Sequence, residues 1–381
     1  MTTAMIVLTG CGSHKSRPHS TPETEPIAVT ALTNTVPALA DATSAMKTVV
    51  HVSRSGIDDT ATHVTTSVFV PKGAAPQGGF PLIALGHQTT GLTPDCAPST
   101  SPDLLGLAPT IEALLKAGYV VTVPDYQGLG KQSVDNDADH YYPYLDSTTA
   151  AYNMIDAAYV TRRAVPQASK SWIAMGINEG GQAAWAANEL ADNYDYDMNL
   201  VGSVSIAPIS DVTQLADVAQ NGTLTDAQKV VLARFVTALH NAYPDNINLD
   251  DFRRGAAQQR WSQLSGCQPT PSALQIAAQI PSADLKPATP DALSTLRGYL
   301  QKTNLPQGPA QNPMLVSYNG LEPYSPGSWT ETALKRACKM GNTVTIEQVP
   351  DPRPDSALTL SWIADRFKGA PAPNNCEGRF K

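Results

Sequence analysis

β-Branched and apolar residues alternate or cluster over Val49–Arg54 and again over His63–Val70, and two such runs in succession predict an N-terminal hairpin. Phe80–Leu85 is a short apolar run stopped by Gly86, the pattern of a strand buried on both faces. Leu104–Ala117 carries apolar residues at helical spacing and ends at Gly118, a residue type that closes helices. Tyr119–Asp125 predicts the next buried strand and Ser147–Ala164 the next helix. Ser171–Gly176 then reads as a strand that passes through a tight glycine turn into a helix over Gln182–Asn193, and Leu200–Ile206 closes this half. Strands and helices in alternation, with strands apolar throughout, predict an α/β fold: a mostly parallel sheet flanked by helices on both faces.

From about 212 to 308 the pattern changes to helical segments and prolines with no buried strand, which predicts a helical cap inserted into the sheet. Alternation resumes with a strand at Met314–Tyr318, a helix at Thr330–Met340, a strand at Thr343–Val349 and a closing helix at Ala357–Phe367. The expected α/β domain therefore comprises 42–211 and 309–376, around a cap at 212–308. Residues 12–41 are rich in Ser, Thr and Pro and read as a disordered tether. The Pro-rich end after Gly369 reads as a tail, with 377–381 outside the domain.

With 381 residues and 42% hydrophobic content, the chain can bury one large core. Its longest apolar runs, such as Tyr119–Val123 and Pro81–Leu85, are far shorter than the roughly 20 residues that span a bilayer. A formal charge of -8 without a basic cluster argues against nucleic acid or an anionic membrane surface as an electrostatic partner. Met5-Ile-Val-Leu-Thr-Gly-Cys11 resembles the end of a bacterial lipoprotein signal, in which cleavage leaves a lipid-bearing cysteine. That resemblance implies a signal over residues 1–11 and lipidation of Cys11. The product would be an exported, membrane-anchored lipoprotein of the cell envelope, or a secreted protein. Cys96, Cys267, Cys338 and Cys376 remain, widely spaced and without a CxxC or a neighbouring histidine. Two disulfides in an oxidising compartment are expected, with three pairings open.

The strand-to-helix turn reads Trp172-Ile-Ala-Met-Gly176-Ile-Asn178-Glu179-Gly180-Gly-Gln182. In α/β-hydrolases this is where G-x-S-x-G holds a serine on a strained elbow, and here the two glycines remain while Asn178 stands in the serine slot. The elbow, Gly118-Tyr-Val-Val-Thr-Val-Pro-Asp-Tyr-Gln-Gly-Leu-Gly130, Gly86-His-Gln-Thr-Thr-Gly91, Cys96-Ala-Pro-Ser99 and Trp362-Ile-Ala-Asp-Arg-Phe367 together resemble the secretory lipase family over roughly 45–376. The resemblance implies an α/β-hydrolase fold with a helical cap over an acyl pocket. It implies lipase or carboxylesterase chemistry by a Ser, Asp and His triad, no cofactor, and the pairs Cys96–Cys267 and Cys338–Cys376.

Carried over residue by residue, the triad fails. An amide nitrogen is delocalised and cannot attack an ester as an activated hydroxyl does. The acid is expected in a G-x-x-D arrangement, where the chain reads Gly320-Leu-Glu322-Pro323, an acid displaced by one position. The base is expected on the loop after the last strand, which reads Pro350-Asp-Pro-Arg-Pro354-Asp355, and no histidine follows His240. On the oxyanion side the segment His87-Gln88-Thr89 replaces an expected glycine by Gln88, and the backbone N–H of Glu179 is the remaining donor. His14 and His19 fall in the tether, His51 and His63 on early strands and His240 in the cap, and read as surface or packing residues; His87 and His140 follow strands on the pocket side and read as hydrogen-bonded structural residues, with a base supplied from either place as the alternative. No HxxxH or HxH spacing suggests a metal site, and Asp135, Asp137 and Asp139 read as a solvated loop.

These features lead to the expectation of a non-catalytic, lipase-like exported protein that keeps a scaffold for lipid or acyl ester, tethered to a membrane through Cys11. The alternative is an active esterase or acyltransferase using other residues, for instance after Asn178→Asp deamidation; a third reading is an interaction protein with a filled pocket. The sequence leaves the oligomeric state open.

Overall fold

The apolar runs become strands covered on both faces in the computed structural model, which describes residues 24–130, 141–193, 197–267 and 270–380. The strands are β1 (Pro26–Ala31), β2 (Thr43–Arg54), β3 (Ala61–Pro71), β4 (Phe80–Gly86), β5 (Val120–Pro124), β6 (Ala168–Ile177), β7 (Asn199–Ile206), β8 (Met314–Tyr318) and β9 (Val344–Gln348). They form one sheet in the order β1-β2-β3-β5-β4-β6-β7-β8-β9. Pairing is antiparallel from β1 through β3 to β5 and parallel from β5 to β9. Along β4 the side chains alternate between faces: Leu82 and Ala84 pack in one core, Ile83 and Leu85 in the other.

The helices are α1 (Pro37–Ala42), α2 (Ala108–Lys116), α3 (Ser147–Ala164), α4 (Glu179–Leu190), α5 (Leu215–Asn221), α6 (Asp226–Ala242), α7 (Gly255–Ser265), α8 (Thr270–Ala277), α9 (Pro290–Thr303), α10 (Gly327–Lys339), α11 (Ala357–Phe367) and α12 (Cys376–Arg379). Leu39 of α1, Ile111 and Leu114 of α2, and Trp362 and Ile363 of α11 cover one face of the sheet. Met154 of α3, Trp185 of α4 and Leu334 of α10 cover the other, in a core continuous with the cap. The cap, α5 to α9, leaves the sheet after β7 and returns before β8. No helix among the described residues is long and apolar enough to cross a membrane.

Three expectations are corrected. Within the expected tether, residues 26–31 form the edge strand β1 and 37–42 form α1. An edge strand needs few large apolar residues, since Ile27 and Val29 stay exposed, and a short helix is held by one fully buried side chain, Leu39. Within the expected tail, Cys376 is disulfide-bonded to Cys338 and Arg379 donates to the Tyr318 hydroxyl (2.9 Å) and to Gln348 (2.8 Å). Asn375 also exchanges hydrogen bonds with the backbone of Ile346 along the outer edge of β9. The helix expected from Leu104 starts at Ala108, because Leu104 and Leu105 are left-handed (φ 52° and 54°) and Pro109 suits only a first turn. Cys11, His14, His19, His140, Asp135, Asp137 and Asp139 lie outside the described residues.

Candidate active site

The elbow forms where the glycine spacing predicts it. β6 ends at Ile177, Asn178 is left-handed (φ 51°, ψ -110°), and α4 begins at Glu179, three residues before the expected Gln182 because the turn is a single residue. Asn pays less for a positive φ than most residues with a side chain. The glycines permit contact of backbone on backbone: a Cβ on Gly180 would sit 2.1 Å from the Gly86 carbonyl oxygen, and one on Gly176 2.1 Å from that of Gly180. The Asn178 N–H donates to Ile206 (2.9 Å), and its carbonyl accepts from Gln182 and Ile209 (both 3.1 Å). Its side-chain Nδ2 donates to the Ala207 carbonyl at 3.3 Å, so the amide is drawn toward the end of β7.

Glu179 is buried, and its carboxylate is held by three donors. It accepts from the Tyr142 hydroxyl (2.5 Å), the Leu145 N–H (3.2 Å) and the Thr89 hydroxyl (2.8 Å), joining the segments after β4 and before α3 to the start of α4. Burial raises its pKa, and these donors, with the charge of Arg234, pull it back. Its backbone N–H, at the first position of α4, is one of the donors a helix leaves without an intrahelical acceptor.

The PDYQGLG segment acts as a brace. Asp125 is buried and accepts from the N–H (2.9 Å) and hydroxyl (2.5 Å) of Ser99, and burial pushes its pKa up to about 7. Tyr126 stacks on His87 with ring centroids 4.4 Å apart. Each His87 ring nitrogen meets a backbone carbonyl, Nδ1 that of Gln88 (2.7 Å) and Nε2 that of Asp125 (3.2 Å), and burial lowers its pKa to about 4. A neutral imidazole carries one N–H and donates to only one of these carbonyls, and both ring nitrogens face backbone oxygens. His51 is buried against Thr66 in the sheet, likewise lowered to about 4, and His240 bonds to the Ile247 carbonyl within the cap.

Gln88, Thr89 and Asn178 meet the cap at a narrow cavity of about 20 Å³, completed by Tyr144, Ile209, Tyr324 and three α6 residues, Val230, Val231 and Arg234. That is room for one or two water-sized groups and none for an acyl chain. Gln88 is exposed, so it stands at the solvent side of the cavity instead of filling it. The sequence reading missed Arg234, although the signal was present: a cation three and four residues after Val231 and Val230, on one face of a helix whose phase is set by the Thr225–Gln228 capping box.

The expected acid and base positions are engaged elsewhere. Glu322 is buried and turns back to accept the Asn319 N–H at 2.6 Å, leaving Oε2 without a partner among the described residues, while Pro323 is exposed. After β9, Asp355 pairs with Arg353 at 2.9 Å and Pro354 lies between them. Neither Glu322 nor the segment holding Pro354 and Asp355 lines the cavity over Asn178. No group of His, Cys, Asp and Glu among the described residues could hold a metal ion.

Residues 107–375, well over half of the chain, match the secretory lipase family along their whole extent. The chain belongs to the secretory lipase family. Within reach of that family, it is 26% identical over 329 residues to the probable inactive lipase MT1628 of Mycobacterium tuberculosis (strain CDC 1551 / Oshkosh), covering 80% of this chain and 70% of that one. Its fold is that of the α/β-hydrolase lipases and esterases. The ligand-bound rice cell wall degrading esterase LipA of Xanthomonas oryzae superimposes with a TM-score of 0.69 at 19% identity, over 90% of this chain and 96% of the esterase. Candida antarctica lipase A in its closed state gives 0.69 at 18% identity, over 97% and 91%. As in the pairing the family resemblance implies, Cys96 joins Cys267 and Cys338 joins Cys376. Disulfides of this kind persist in oxidising compartments, and with a secretory family they point to an exported protein.

Proposed function

We propose that this secretory-lipase-family chain is a non-catalytic binding protein that holds a lipid or acyl ester under its cap and is anchored to the cell envelope through lipidated Cys11. The observation that carries the reading is the elbow itself: an amide bonded back to Ala207 stands in the nucleophile position, and no histidine follows His240 to act on anything placed there. Without a base, a hydroxyl at this point is a weak nucleophile at neutral pH. Support for a retained binding role comes from Asn178 and the cap, which still meet around a cavity at the elbow, and from the elbow glycines, which keep the close backbone contacts of the turn.

The purified full-length protein should resist fluorophosphonate labelling and leave short-chain chromogenic esters intact, while solvent extraction and mass spectrometry recover a bound lipid. Asn178→Ser alone should add at most the residual catalysis of about 10³–10⁴ over water that oxyanion donors supply without a working triad. Ester turnover that disappears in Asn178→Ala would overturn the non-catalytic reading. For the anchor, Cys11→Ala should move the protein from the detergent phase to the aqueous phase.

A further inference from the structure

The cavity over Asn178 is bordered by Gln88, Thr89, Tyr144, Asn178, Arg234 and Tyr324 together with Ile209, Val230 and Val231, and most of its lining surface is apolar. Arg234 is the one charged residue in the lining and is only 5% exposed. Its Nε donates to the Leu264 carbonyl at 2.9 Å, which fixes the side chain from the cap side and leaves the four N–H bonds of the two terminal nitrogens. Among the described residues no carboxylate forms an ion pair with it. The nearby carboxylate, Glu179, already accepts from Tyr142, Leu145 and Thr89. Burial raises the pKa values of Glu179 and Tyr144, and the Arg234 charge pulls both back, so its field reaches this side of the cavity. A buried cation without its own counterion is costly, and an anionic ligand removes that cost.

We infer that the cavity takes a carboxylate, the head of a fatty acid or of a smaller carboxylic acid, held by the Arg234 guanidinium with the Asn178 amide. The inference rests on the binding role proposed above and adds the charge of the ligand. A planar guanidinium matches two carboxylate oxygens, whereas an ester offers it no charge. Asn178 fits the same assignment, because a neutral amide donates a hydrogen bond to an anion where an aspartate at the elbow would repel it. The room of about 20 Å³ suits a head group alone. Beyond Tyr144, which borders both spaces, lies a second cavity of about 30 Å³ against Phe235, Ala238 and Leu239 of α6, with Asp146 and Lys302 also in its lining.

The test uses delipidated full-length protein and calorimetric titration at pH 7.5 with octanoate, methyl octanoate and acetate. Octanoate should bind at least tenfold more tightly than methyl octanoate, and Arg234→Gln should remove at least tenfold of the octanoate affinity. Asn178→Asp should do the same through like-charge repulsion, and because it leaves the Arg234 contacts in place it decides the matter if Arg234→Gln fails to fold. Acetate as tight as octanoate would assign a small carboxylate, acetate at least tenfold weaker a fatty acid, and either supports the head-group site. Methyl octanoate binding as well as octanoate, or octanoate affinity unchanged in both variants, overturns the carboxylate assignment and leaves the binding role standing. Failure of all three probes to bind overturns both, and turnover of methyl octanoate lost in Asn178→Ala overturns the non-catalytic reading alone.

Discussion

Gly180 and Gly298 make a controlled comparison of what a methyl group costs in this fold. At Gly180 the methyl would meet the Gly86 carbonyl oxygen at 2.1 Å, backbone that cannot give way without parting β4 from α4, whereas at Gly298 on α9 it meets nothing within 4 Å. Gly180→Ala should therefore destabilise by about 3 kcal/mol or more. Gly298→Ala should stabilise by about 0.5–1 kcal/mol through helix propensity. Urea denaturation of the two variants beside the parent checks both signs. The same local logic explains which site residues were legible in the sequence. Asn178, Glu322, Pro354 and Asp355 could be placed because each follows the end of a predicted strand, and strand ends fix where such residues emerge. Arg234 was legible only as a cation on the Val230 and Val231 face of α6; that this face meets Asn178 depends on how the cap packs over the sheet, which no local pattern encodes.

Elements were legible where a side chain marks their ends. α3 and α11 run over the expected residues because Asp146 caps the Thr149 N–H and Ser356 the Thr359 N–H. β1 and α12 were missed because their order comes from partners distant in sequence: β2 for the first, Cys338 and the edge of β9 for the second. The second case has a measurable consequence. The Cys338–Cys376 link spans 38 residues, which the chain-entropy model values at roughly 3–4 kcal/mol, and it holds the segment that covers the open edge of β9. A Cys338→Ser, Cys376→Ser double variant should lose about that much stability in urea and show concentration-dependent association by light scattering. A monodisperse variant of unchanged stability would remove the edge-covering role from this tail.

Across the whole molecule, two sets of buried ionisable groups work against each other in acid. His51 and His87 have folded pKa values of about 4 against 6.5 unfolded, so below pH 6.5 the unfolded chain binds more protons and stability falls as pH drops toward 4. Asp125 and Glu189 are raised by burial to about 7 from 3.8 and 4.5, so there the folded chain binds more protons and stability falls as pH rises toward 7. Between about pH 4.5 and 6.5 the slopes oppose, and a shallow net dependence is expected. Replacing either histidine by Gln should unmask the carboxylate slope, making the variant about 2 kcal/mol more favourable relative to the parent at pH 4.5 than at pH 7, as urea melts at the two pH values would show. The cap shares in this cooperativity through its attachments. Arg336 of α10 pairs with Asp211 (2.8 Å), where the chain leaves the sheet for the cap, and bonds to the Leu305 carbonyl where it returns. Gln182 of α4 holds the Thr303 carbonyl at 2.9 Å, and the Cys96–Cys267 bond secures α7 to the loop after β4. A cover fastened at both of its hinges and across its span cannot swing as a rigid door. Access to the space beneath it therefore goes through local shifts of side chains such as Gln88 and Tyr144 and not through movement of the cap as one piece.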